Sequence, residues 1–285
     1  IGIMAHPLNR PVLNEKGNRV VEGYTLLQPR IGVRMHAAMS SMFSKIFSGQ
    51  VGINPYINAV SDVYQDNFRE GIFAGKGIYD VHCFHRILGG KLPENAVLSH
   101  DLLEGSYVRC ALATDVELMD GYPSTVISFF KREHRWIRGD WQLLPWIFGK
   151  DSLGILSRWK MMDNLRRSLI PVAQLGLVFL AAVNLDWNAV ALAVLLFSSM
   201  LFTLVINMSD SIALRLKKYK TAGFIINALE GLEITLIQGL LLFIFIPYRA
   251  YVAADAVIRT LYRLFISHRN LLEWQTAEAS EGQVE

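Results

Sequence analysis

Two stretches of the chain carry reactive residue types at telling spacings. In SHDLLEG (99–105), Asp101 and Glu104 stand three apart beside His100, on one face if the segment is helical. One reading is a helix start in which Ser99 or Asp101 caps and Glu104 closes a capping box. The other is that one carboxylate is a general base, which must reach a hydroxyl proton and stay ionised at neutral pH. In FKREHRWIRGDWQ (130–142), Lys131, Arg132, Arg135 and Arg138 crowd beside Trp136 and Trp141 in a chain of which 19% is charged. Cations ahead of a membrane span commonly meet lipid headgroups. Planar guanidinium forks between aromatic walls also suit a bidentate oxyanion such as a diphosphate.

Three other segments invite weaker readings. Gly75, Lys76 and Gly77 in FAGKG (73–77) let backbone approach a substrate, or form a turn. Asp62 and Asp66 in SDVYQDNF (61–68) orient an acceptor or cap a helix. His82, Cys83 and His85 in DVHCFH (80–85) suggest a metal, but a structural zinc site wants a second ligand pair at suitable spacing, and the sequence offers none. A hydrolase built on Asp101 and Glu104 is a poor fit, because carboxylates on one short helix face point the same way while hydrolases set them on opposite sides of a bond.

The elements that must position these residues divide near residue 168. Before it, the strand-like YTLLQPRIGVRM (24–35) and the helical PSTVISFFKREHRWIRGDWQLLPWI (123–147) mix with Gly and Pro punctuation, as in a globular α/β domain. After it charge almost disappears. LIPVAQLGLVFLAAVNL (169–185), NAVALAVLLFSSMLFTLVIN (188–207) and AGFIINALEGLEITLIQGLLLFIFIP (222–247) are candidate spans for a bilayer core that takes roughly 20 helical residues. Arg158, Lys160, Arg166 and Arg167 precede the first span, so the positive-inside rule places the globular part in the cytoplasm. Two spans return the chain to that side at the basic RLKKYK (215–220); a third would put AYVAADAVIRTLYRLFISHRNLLEW (250–274) outside. That stretch reads instead as an amphipathic helix on an anionic leaflet, with Arg259, Arg263, His268 and Arg269. The span containing Glu230 and Glu233 is therefore the one to read as re-entrant or interfacial, unless the basic loop lies outside.

Composition bounds the rest. Of 285 residues, 52% are hydrophobic, and the mean hydropathy is +0.29, high for a soluble domain and low for an all-membrane protein. A net charge of +3 excludes a nucleic-acid binder with a basic face. Two cysteines, Cys83 and Cys110, give no disulfide framework. The chain starts at Ile1, shows no signal peptide and reads as part of something longer.

Asp101, then RxxRW at Arg132, Arg135 and Trp136 about 30 residues on, then apolar spans, resembles the processive inverting membrane glycosyltransferases that include cellulose and hyaluronan synthases, with Arg in place of the usual Gln. MAHPLNRP (4–11), VVEGYTLLQPR (20–30), SDVYQDNF, FAGKGIYDV (73–81), HRWIRGDWQ (134–142) and RTLYRLFISHRNLLEW (259–274) narrow the resemblance to the glycosyltransferase region of cyclic β-1,2-glucan synthases, large bacterial inner-membrane proteins. The resemblance implies the later part of a GT-A domain over 1–150, transmembrane and interfacial helices over 151–248, and an amphipathic interfacial helix with a polar tail over 249–285. It implies inverting transfer of glucose from UDP-glucose to a growing glucan, with Asp101 as base and Arg132, Arg135 and Arg30 on the donor diphosphate. Trp136, Gly75, Lys76, Gly77 and Asp62 are then the acceptor and sugar contacts. Mg²⁺ or Mn²⁺ is implied through a DxD motif that these residues lack, expected upstream of residue 1. The remaining implied partners are membrane lipid and further domains of the same polypeptide. Another processive synthase of the cellulose-synthase type, or a polytopic transporter or scaffold using Glu230 and Glu233, are the competing readings.

Overall fold

The strand-like run at 24–35 forms the central strand of a three-stranded sheet. In this computed structural model, which describes residues 1–48, 63–150, 153–183, 190–196, 198, 234 and 236–273, the Leu26–Val33 strand lies between Ile78–Tyr79, antiparallel to it, and Cys110–Asp120, parallel to it. Parallel pairing needs a crossover, and the Asp101–Val108 helix supplies its last element before Arg109 turns the chain into the third strand. Pro29 has no N–H for the ladder, and the register jumps there: Pro29 faces Ala113 while Arg30 faces Glu117. A short hairpin, Val12–Leu13 with Val20–Glu22, stands apart from this sheet.

The core forms where these elements meet. Leu26, Leu103, Val108 and Cys110 are wholly buried and pack with Ile87, Tyr107, Leu143 and Ile147. Gln28 is also wholly buried within the strand, which costs free energy unless its amide is paired. It is paired: Nε2 donates to the Pro29 carbonyl at 2.8 Å, and Oε1 accepts from the Ala74 N–H at 2.9 Å. That second bond ties the FAGKG loop to the sheet.

The helical reading of 123–147 is borne out by helices at Val126–Trp141 and Leu144–Phe148. Thr125 caps the first, its hydroxyl accepting from the Ser128 N–H at 3.2 Å. The next helix, Ile155–Val183, starts well before the apolar run read from 169. Its first half carries Ser157, Lys160, Met161, Asp163, Leu165 and Ser168, all buried against the globular part. Its second half presents Phe179, Leu180 and Val183 outward. This helix is long and apolar enough to cross a membrane.

Two of the four cations that precede that apolar run are held inside the fold. Lys160 donates to the carbonyls of Glu70 and Gly71 at 3.3 and 3.0 Å, and Arg158 to those of Ile147 and Gly149 at 2.7 Å each. Arg166 and Arg167 pair with Asp163 at 2.8 and 3.3 Å.

The third candidate span appears only from its later part. Helices Leu236–Ile244 and Ile246–Ser267 form a pair bent by 59°, a broken span or re-entrant element. The Ile246–Tyr262 helix lays Ala253, Ala256 and Val257 against Ile137 and Trp141. Tyr251, Ile258 and Tyr262 remain exposed on it, as do Phe265 and Ile266 in the Arg263–Ser267 turn that follows. Its basic residues are partly engaged: Arg259 pairs with Asp255 at 2.8 Å, and Arg263 with Glu273 at 2.5 Å. Asp62, the segment 201–233 with Glu230 and Glu233, and the tail 274–285 lie outside the described residues.

Candidate active site

Asp101 opens the Asp101–Val108 helix, with His100 at its N-cap making no side-chain capping bond. The capping box considered for this turn therefore does not form with Ser99 or Asp101; Glu104 Oε1 instead meets His100 Nδ1 at 2.7 Å. That contact raises the His100 imidazole above its ordinary range, burial opposing it. Asp101 is left to face the loop beside it. Burial pushes its carboxyl above the usual aspartate range; His100 and Arg135 pull it down and Glu104 pushes it further up.

Gly75 stands directly against this carboxylate. Its φ of +85° favours glycine, and a Cβ there would lie 2.8 Å from Asp101 Oδ2 and 3.0 Å from Oδ1. The FAGKG loop reaches this position because Gln28 holds the Ala74 N–H, while the Gly77 backbone abuts the Leu27 carbonyl. Lys76 then turns away from Asp101 and pairs with Asp120 at the end of the third strand.

The Val126–Trp141 helix closes the other side. Gly139 lets it settle on the loop before Asp101, where an added Cβ would come 2.7 Å from the Ser99 Cβ. Gln142 anchors the same loop, its Oε1 accepting from the Leu98 N–H at 2.6 Å. One and two turns before Gly139, Arg135 and Arg132 fall within the field of the site. Arg135 interacts electrostatically with Asp101, and Arg132 with Asp120. The Arg132 guanidinium is fixed among three rings, 4.8 Å from the centroid of Trp136, 5.1 Å from Tyr122 and 5.6 Å from Phe129. Burial, before any charged neighbour, lowers the pKa of both arginines from the usual guanidinium value.

The structure thus brings together Asp101, Gly75, Arg135, Lys76, Arg132 and Trp136. Arg30 is engaged elsewhere, pairing with Glu117 at 3.3 Å across the strands. Arg138, grouped by sequence with the other cations, is buried and donates to the carbonyls of Asn270, Leu271 and Glu273 at 3.4, 3.1 and 2.6 Å, so it anchors a distant segment. Trp136 keeps 40% exposure although Arg132 lies over its ring.

Spacing alone misses Gln28, Asp120 and Tyr122. A glutamine after two buried leucines in the strand is the trace the first leaves in the sequence. Asp120 precedes Gly121, whose N–H donates to Asp120 Oδ1 at 2.9 Å, and Tyr122 follows, its hydroxyl donating to the Phe47 carbonyl at 3.1 Å.

No family model matches the chain. Over 97% of its length, however, it is 44% identical to the cyclic beta-(1,2)-glucan synthase NdvB of Rhizobium meliloti (strain 1021). The chain is a relative of one segment of a cyclic β-(1,2)-glucan synthase. It spans 10% of NdvB's length. The resemblance drawn from the motifs is borne out, and the match runs through both the Asp101 loop and the arginine helix, since it leaves only a small fraction of the chain uncovered.

Proposed function

We propose that this chain is the later part of a GT-A glucosyltransferase domain, residues 1–150, with the transmembrane and interfacial helices that follow over 151–248 and 249–285, working within a longer cyclic β-1,2-glucan synthase. Its reaction is inverting transfer of glucose from UDP-glucose to a growing glucan at the cytoplasmic face of a bacterial inner membrane. The observation that carries the reading is the convergence of a half-buried carboxylate, a glycine turn pressed against it and two arginines from one helix, in a chain 44% identical to a named glucan synthase.

In this mechanism Asp101 accepts the proton of the acceptor hydroxyl as that oxygen bonds to the anomeric carbon of glucose. The bond from that carbon to the diphosphate breaks at the opposite side, so configuration inverts and UDP leaves with the electron pair. Burial raises the proton affinity of Asp101, a favourable direction for a base near neutral pH, and Gly75 leaves one side of the carboxylate without a side chain. Arg132 and Arg135 meet the charge that grows on the diphosphate; preset in partly desolvated positions, they require little reorganisation as the bond breaks. Trp136 offers the ring face not covered by Arg132 to a sugar.

The Mg²⁺ or Mn²⁺ implied by the resemblance has no fitting seat among the described residues. One group there, His100, Asp101 and Glu104, brings ligand atoms within 4.8 Å of one another, but His100 and Glu104 already bond each other. These hard cations also favour octahedral or larger sets of oxygen ligands. In this reading the ion is held by other parts of the longer protein. The test is UDP release and glucan formation from UDP-glucose by the full-length protein, wild type against Asp101→Asn.

A further inference from the structure

Lys76 follows the glycine that touches Asp101, yet its ammonium leaves that carboxylate and binds Asp120. Asp120 is itself well anchored. Its Oδ1 accepts from the Gly121 N–H at 2.9 Å, leaving Oδ2 as the atom that meets Lys76. Burial works against its charge, but Lys76, the Gly121 N–H and Arg132 outweigh it and hold the carboxyl below the usual range. A single fixed carboxylate therefore sits in the field of two cations, one on the glycine loop and one on the arginine helix. The two cations differ in freedom. Arg132 is set among Tyr122, Phe129 and Trp136, whereas Lys76 rides on a flexible stem with 42% of its side chain exposed.

An anion entering beside Arg132 enters beside Lys76 as well. We infer that Lys76 is a third cation for the donor diphosphate, and that Asp120 holds it beside Arg132 until a nucleoside diphosphate takes the carboxylate's place. This rests on the donor-site reading above and moves Lys76 from the acceptor side, where the motif suggested it, to the phosphate side. A partly exposed ion pair contributes little to stability, so exchanging Asp120 for a doubly charged diphosphate is inexpensive. The exchange also couples donor arrival to the loop that carries Gly75, and hence to the surroundings of Asp101.

The experiment measures UDP and uridine binding to the full-length protein in detergent, for wild type, Lys76→Met, Lys76→Arg, Asp120→Asn, the Lys76→Met/Asp120→Asn double variant and Arg135→Ala. Lys76→Met is expected to weaken UDP roughly ten-fold, the scale of one charged hydrogen bond, and to leave uridine unchanged. Lys76→Arg restores most of the loss. Asp120→Asn tightens UDP when Lys76 is present, and by a smaller factor in the Lys76→Met background, where only Arg132 is relieved. Equal loss of UDP and uridine in Lys76→Met, unchanged UDP binding in that variant, or weaker UDP binding in Asp120→Asn would each overturn the inference; if Arg135→Ala still weakens UDP, the donor-site reading survives that result. A wild type that binds neither ligand overturns both.

Discussion

Gly75 and Asp101 are in contact across the candidate site: the space a glycine Cβ would take lies 2.8 Å from a carboxylate oxygen. The glycine's φ of +85° adds backbone strain to that steric conflict for any other residue. Gly75→Ala therefore displaces either the loop or the carboxylate. We expect the rate of sugar transfer to fall on the order of 100-fold, as small misplacements of reacting groups do, while global stability falls by only about 1–2 kcal/mol. Steady-state kinetics and a thermal midpoint on the same preparation check the two halves of this prediction.

The raised proton affinity of Asp101 has a pH consequence. A base works deprotonated, so activity is lost as pH falls through its pKa, and because burial raises that pKa the loss begins at a higher pH than an ordinary aspartate would give. Arg135 pulls the value down. In Arg135→Gln the residual activity should lose its acid limb at still higher pH, besides being slower. A pH–rate profile checks this; an acid limb that stays in place or moves lower would remove Arg135 from the electrostatics of the base.

Asp140 makes a different, structural prediction. It accepts a hydrogen bond from Asn164 Nδ2 at 2.9 Å, and although the residue keeps some exposed surface, burial pushes its carboxyl up to about 6, Asn164 and Arg167 opposing. With the folded value above the unfolded one, the folded state binds the proton more tightly. Its stabilising effect is complete below the ordinary aspartate pKa and is lost as pH rises towards about 6. At pH 7 the ionised group is thus a burden that Asp140→Asn relieves while keeping an oxygen for Asn164. The variant should be at least as stable as wild type at neutral pH, by up to about 1–2 kcal/mol, with a flatter pH dependence in thermal unfolding.

Arg138 holds the chain at Asn270, Leu271 and Glu273, and Gln142 adds a bond to the Leu271 carbonyl at 2.9 Å. Arg138→Met removes three donors from a buried position and is expected to cost about 2–4 kcal/mol locally. Amide exchange over residues 263–273 should accelerate, with UDP binding unchanged. Loss of UDP binding instead would place Arg138 at the donor site.

What could be read from residue patterns was set by local physics. The strand at 26–33 and the helix at 126–141 lie within the strand-like run at 24–35 and the helical stretch at 123–147, and the helix at 246–262 overlaps the amphipathic stretch read at 250–274. Asp101, Arg132, Arg135 and the glycine loop were each visible as residue types. Their partners were not. Arg138 meets carbonyls more than 130 positions away, and Lys76 meets Asp120 at a separation of 44; no periodicity encodes either. The partners of the charged half of the Ile155–Val183 helix are hidden for the same reason. Composition cannot distinguish a lysine facing lipid from one such as Lys160, only 5% exposed, that satisfies carbonyls inside a fold.

The central claim is that Asp101 is the base of an inverting glucosyl transfer. The most direct test supplies UDP-glucose and divalent metal to the full-length protein and compares wild type with Asp101→Asn for UDP release and glucan product, with unfolding followed alongside. Wild type is expected to release UDP and form glucan, while Asp101→Asn remains folded, still binds UDP and does neither. Normal turnover by Asp101→Asn, or a wild type that leaves UDP-glucose untouched, would contradict it.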